Sequence, residues 1–93
     1  GFGTGSIAGS ASISTDTATQ YTVSWDGDPL TSGTSYAWTV SPTADTTLTN
    51  TSNVSASFEA SATGSYTLTC VVTNGNVNDG SSPMTVTKSV TVS

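Results

Sequence analysis

A chain of 93 residues with net charge −5 and a single basic residue, Lys88, has room for one domain. It is too poor in cations to neutralise a nucleic-acid backbone or to dock electrostatically on an anionic membrane. It has no histidine, which removes the usual Ser–His and Cys–His nucleophile pairs and the commonest transition-metal ligand; the expectation is therefore no enzyme and no cofactor.

Thr and Ser make up 20 and 17 of the residues, whereas only 8% are charged. Threonine's branched Cβ suits a pleated surface, so a hydroxyl-covered β protein stays soluble with little charge. Its surface also offers trypsin few cleavage sites. No apolar run approaches the roughly 20 residues of a membrane helix, so no membrane insertion is expected. Neither a signal-peptide pattern nor an initiator methionine opens the chain, which reads as a processed product or one domain of a longer protein. Cys70 is the one cysteine, so no internal disulfide is available.

In chain order, residues 1–5 are Gly-Phe-Gly-Thr-Gly and read as a flexible leader, with the domain over 6–93; Phe2 is not counted among the sure anchors. Residues 7–14 form a weak first strand broken by Gly9, as an edge strand that switches sheets would be. Residues 20–25 put Tyr21, Val23 and Trp25 in phase, and Asp26-Gly27-Asp28-Pro29 ends the run. Residues 36–40 put Tyr36, Trp38 and Val40 in phase up to Pro42. Residues 43–53 hold only Leu48 as an anchor and read as a short strand or an irregular crossover. Val54, Ala56 and Phe58 alternate next. Gly64 opens the longest strand, with Tyr66, Leu68, Cys70 and Val72 in phase. Residues 74–82 are turn-rich, with Asn-Gly and Asp-Gly pairs. Pro83 suits a strand start, and Met84, Val86, Val90 and Val92 form the last strand. No helical periodicity competes. About seven short strands at this spacing predict an all-β, two-sheet antiparallel sandwich.

The Tyr36-x-Trp38-x-Val40 strand, the later Gly64-x-Tyr66-x-Leu68 strand with Val72-Thr73-Asn74, and the closing Lys88-Ser89-Val90-Thr91-Val92 resemble the immunoglobulin-like superfamily, and within it the PKD-like domains of phage and bacterial surface proteins. The resemblance spans residues 6–93 and implies an immunoglobulin-like sandwich. Two departures stand out. Ser41-Pro42-Thr43 replaces the Gly-Asp-Gly that often follows the PKD tryptophan strand, and Tyr66 precedes Cys70 by four residues instead of two. By family, the resemblance implies an accessory domain on a virion or a bacterial surface protein; fold alone does not supply function.

In that topology the loops 26–35 and 74–83 share one tip. It would hold Trp25, Asp26, Asp28, Asn76 and Asp79, the candidate ligand-binding set. Asp26, Asp28 and Asp79 are oxygen donors that suit Ca²⁺, although Asp and Asn serve equally as turn formers. Asp16, Asp45 and Glu59 fall toward the other end. Cys70, in phase with core residues, is expected to be a small buried hydrophobe. Lys88 shares the inward phase, which calls for a bulge or for a rim position from which its amine reaches water; the alternatives are pairing with Glu59 or Asp16, or an intramolecular Lys–Asn isopeptide of the kind in some surface immunoglobulin-like domains. Asn50-Thr51-Ser52 and Asn53-Val54-Ser55 match the glycosylation pattern in a chain where chance alone supplies about two such matches.

Two functions are expected from this reading. The first is a non-enzymatic display domain at a virion surface, attached to capsid or tail proteins and with weak adhesion to host glycans. The alternative is a carbohydrate-binding or adhesive module of a bacterial cell-surface protein.

Overall fold

The structure is a computed structural model that describes residues 2–27, 33–74 and 83–93. Eight strands follow in order: β1 Gly5–Ala8, β2 Ser12–Ile13, β3 Thr19–Trp25, β4 Ser35–Ser41, β5 Thr46–Thr49, β6 Ser55–Ala60, β7 Gly64–Thr73 and β8 Met84–Val92. One sheet runs β1-β3-β6-β5 and the other β2-β8-β7-β4. All pairings are antiparallel except β2 with β8, where Ser12 and Ile13 lie beside Thr91 and Val92. The fold is the expected all-β, two-sheet sandwich, with eight strands in place of about seven.

The eighth strand arises because the first expected strand splits. Residues 5–8 pair with β3 in one sheet, and residues 12–13 pair with β8 in the other. Gly9 makes the break. Its φ of 147° is one that side-chain-bearing residues avoid, and a Cβ there would run into the Tyr21 ring. Tyr21 Oη–H then donates to the Ser10 carbonyl at 2.7 Å, and Thr91 N–H donates to Ala11 O at 2.8 Å, carrying the chain across.

Alternation places one residue in two between the sheets. Tyr21, Val23, Ala56, Phe58 and Ala60 face in from the first sheet; Trp38, Val40, Tyr66, Leu68, Cys70, Val72, Val86, Val90 and Val92 face in from the second. Among the described residues, the buried set contains no Ser, Thr or charged residue. Phe58 links the layers, its ring centroid 5.5 Å from that of Tyr66 and 6.4 Å from that of Tyr21. Such ring pairs add about 1 kcal/mol each beyond the area they bury.

Buried rings with a polar atom need a partner, and three find backbone carbonyls. Besides Tyr21, Tyr66 Oη–H donates to Ala62 O at 2.8 Å, a corner made within four residues of its own strand start. Trp38 Nε1–H donates to Asn53 O at 2.8 Å, and Trp38 N–H donates to Thr51 O at 3.0 Å. Trp38 thereby hooks the turn that joins β5 to β6 onto the outer edge of β4.

Two expectations are corrected. Phe2, assigned to a flexible leader, is 1% exposed and part of the core. Residues 2–4 are tied to the end of β3: Gly27 N–H donates to Phe2 O at 2.7 Å, Asp26 N–H to Thr4 O at 3.1 Å, and Thr4 N–H to the Asp26 carboxylate at 2.7 Å. Val54, expected inward with Ala56 and Phe58, lies just before β6 and is 41% exposed. Its carbonyl accepts from Val23 N–H, so the alternation begins one residue later, at Ser55.

The domain is a rod of 42 × 19 × 17 Å. Gly5, Trp25, Tyr36, Val72 and Met84 mark one tip through their registers; Gly64, paired with Val92, marks the other. The chain enters β1 at the first tip and leaves β8 at the second.

Candidate functional site

The first tip is built by strand ends from both sheets. Trp25 closes β3 opposite Gly5, and Tyr36, second in β4, stands opposite Val72, which in turn pairs with Met84 at the start of β8. The sheets approach closely here: a Cβ on Gly5 would meet the Val86 and Met84 side chains, so glycine lets β1 lie against β8. Phe2 packs edge-on against Trp25 with centroids 5.6 Å apart and planes at 77°. The Trp25 and Tyr36 centroids are 6.5 Å apart with planes at 30°. Phe2 is buried, whereas Trp25 and Tyr36 are half-buried, as is Met84. The series runs from a sealed ring to rings that meet solvent.

Of the expected tip set, Trp25 and Asp26 are brought together; Asp28, Asn76 and Asp79 lie outside the described residues. Asp26 has a structural occupation, since its carboxylate accepts the Thr4 amide and its own amide donates back to Thr4. That reciprocal pair clamps the segment carrying Phe2. No group of three or more His, Cys, Asp or Glu that could hold a metal occurs among the described residues. The calcium expectation at Asp26, Asp28 and Asp79 thus depends on positions outside them.

Glu59 lies within β6, whereas Asp16 and Asp45 stand as turn formers. Asp16 and Asp45 have φ of 57° and 63°, the left-handed region that Asp and Asn tolerate better than most residues. Both flank the end of β6: Asp16 N–H donates to Ala60 O, and Ser61 N–H donates to Asp45 O. They lie toward the second tip, as expected.

Cys70 is buried and free, between Trp38 on β4 and Val86 on β8. Burial pushes its thiol up to about 11, against a smaller lowering from a backbone hydrogen bond at Ala37. A thiol so held is the protonated, unreactive form at neutral pH. Lys88 keeps the inward phase opposite Leu68 with no bulge, since the β7–β8 register runs unbroken from Gly64–Val92 to Val72–Met84. It is half-buried, on a stretch of β8 that β2 does not reach, and this rim position lets the stem cover apolar surface while the amine meets water.

Two features lay beyond the sequence reading. One is the anchoring role of Phe2, whose partners are more than twenty residues away. The other is the turn over residues 50–53, where Asn50 has φ of 58° and Asn53 N–H donates to Asn50 O at 3.1 Å. The available signals were the Asn-rich run itself and the need of a buried indole for an acceptor.

No protein-family model matches the chain, and no curated protein matches it. The geometry and chemistry of the described residues therefore carry the functional reading.

Proposed function

We propose that this chain is a non-enzymatic, immunoglobulin-like display domain at a virion surface, attached to capsid or tail proteins. The observation that carries the reading is the rod, 42 Å long, entered by β1 at one tip and left by β8 at the other. A domain of that form holds whatever precedes it and whatever follows it well apart. The immunoglobulin-like assignment is supported by the sequence resemblance, by the first strand divided between sheets at Gly9, and by the Tyr66 corner. The low-charge Thr- and Ser-rich surface suits exposure to proteases. The missing histidine and the inert Cys70 support a role without catalysis. Its partners are other virion proteins and host glycans; a net charge of −5 disfavours nucleic acid. Mass spectrometry and cryo-electron microscopy of purified particles test the reading. Many copies at the surface are expected, and absence from clean particles would overturn it.

The half-buried Trp25 and Tyr36 rings favour a second reading, an adhesive or carbohydrate-binding module of a bacterial cell-surface protein that uses the first tip. Aromatic faces half in water are suited to stacking against sugar rings. Binding to immobilised glycans that is lost in Trp25→Ala, with the fold retained, is the expected result for that reading.

A further inference from the structure

The flank of the rod carries a cleft of about 410 Å³, whose lining includes neither Trp25 nor Tyr36. It lies where the turn over residues 50–53 meets β3 and β6, and Gln20, Asn50, Asn53, Ser55 and Ser57 line it with Ala18. Three of these residues are amides and two are hydroxyls. None is ionisable.

The walls are fixed from behind. Trp38 holds Thr51 O with its backbone N–H and Asn53 O with its indole N–H, at 3.0 and 2.8 Å. The Asn53 amide closes the turn onto Asn50 O, and Val23 N–H holds Val54 O at 3.1 Å. Ser55 Oγ and Thr22 Oγ1 share a hydrogen bond of 2.7 Å, and Gln20 stands opposite Ser57 in the β3–β6 register. A core tryptophan thus rigidifies a turn that presents polar side chains on a surface cleft. That is the arrangement in which binding loses little conformational entropy.

We propose that this cleft binds a neutral polyhydroxylated ligand, a mono- or disaccharide unit of a glycan. Each amide presents donors and an acceptor side by side, and each hydroxyl does both, which matches the alternating donor and acceptor character of vicinal sugar hydroxyls. An anionic ligand would find no countercharge in the lining and would face a domain of net charge −5. The volume is within the roughly 300–1,000 Å³ usual for small-molecule sites. Ala18 adds a small apolar surface for sugar C–H groups. The site differs from the tip of the second functional reading and holds whichever surface carries the domain.

The test is a ¹⁵N-resolved NMR titration of the 93-residue chain with glucose, galactose, mannose, N-acetylglucosamine and lactose, with sialyllactose as the anionic comparison. Shifts centred on residues 20, 50–57 and 18 are expected for at least one neutral sugar, with sialyllactose binding no better than lactose. Gln20→Ala combined with Asn53→Ala removes exposed side chains and leaves the backbone acceptor of Trp38 in place, and is expected to weaken binding by roughly tenfold or more. Asn53→Asp, near-isosteric but charged, is expected to weaken it as well and stands in should the double variant fold poorly. Trp25→Ala is expected to leave it unchanged. The proposal fails if no sugar shifts the cleft up to its solubility limit. It also fails if the shifts gather on Trp25 and Tyr36 and vanish in Trp25→Ala, or if they survive both cleft variants. The same titration with the sugar free and with a glycan chain immobilised on beads separates recognition of a loose saccharide from recognition of a glycan-coated surface.

Discussion

The two tryptophans occupy opposite regimes of one sandwich. Trp38 is 3% exposed, and both its nitrogens are bonded to carbonyls of the same turn. Trp25 is half-buried at the tip, between the sealed Phe2 ring and the half-open Tyr36 ring. The difference lies in what closes over them. At Trp38 the turn over residues 50–53 crosses the edge of β4. At Trp25 the N-terminal segment clamped by Asp26 covers one side, Tyr36 lies on another, and the ring stays only half-buried. An aromatic residue in the right phase therefore says that a strand is present; whether it serves as scaffold or as surface depends on what distant chain passes over it.

The sharpest way to break this contrast is Trp38→Ala. It removes a large buried ring and releases the turn, and is expected to cost about 4 kcal/mol, against a total stability of roughly 5–15 kcal/mol. Urea denaturation followed by tyrosine fluorescence measures this. The same change at Trp25 should cost at most about half as much; equal losses would erase the distinction. Phe2→Ala comes next, at about 3 kcal/mol, because its ring is 1% exposed. A thermal midpoint that does not move would restore the leader reading. Tyr66→Phe keeps the ring and removes one hydroxyl bond to Ala62, at an expected cost of about 1 kcal/mol.

The mildest perturbation changes no residue. Cys70 is raised to about 11 from an ordinary value of 9.0, and Tyr21 is raised from 10.0, both by burial. Each group is neutral in its protonated form. Above the unfolded value the unfolded chain loses a proton that the folded chain keeps, so the native state binds more protons and stability falls as pH rises. The contribution is fully present below about pH 9 and drains away as pH climbs to about 11 for Cys70. Denaturant midpoints measured from neutral to alkaline pH should be flat and then decline, with the decline reduced in Cys70→Ala.

Most of the strand pattern was legible in the sequence because its cause is local. Tyr66, Leu68, Cys70 and Val72 alternate because one face of β7 is buried along nearly its whole length, and the signal repeats every second residue. Gly9 announced a break for an equally local reason, although the resulting separation into two strands in different sheets depended on the Tyr21 ring. Phe2 was not legible. Its burial depends on backbone hydrogen bonds to residues 26 and 27, which no short-range pattern encodes. Val54 misled because parity does not say where a strand starts. Of the candidate tip, Trp25 was placed correctly at a strand end, but the role of Asp26 as a clamp for Thr4 could not be read from its turn-forming neighbours. The flank cleft was invisible because Gln20 and Asn53 meet only after β3 and β6 pair.

The solitary buried thiol has one more use. Cys70 sits in the middle of β7, flanked by β4 and β8, where no reagent arrives unless the sheets part. It is a built-in shutter: the rate at which an alkylating reagent captures it counts how often the whole domain opens. Because Cys70 is the one cysteine of the chain, that count comes from the isolated domain with no label introduced, and tells how firmly the rod stays shut.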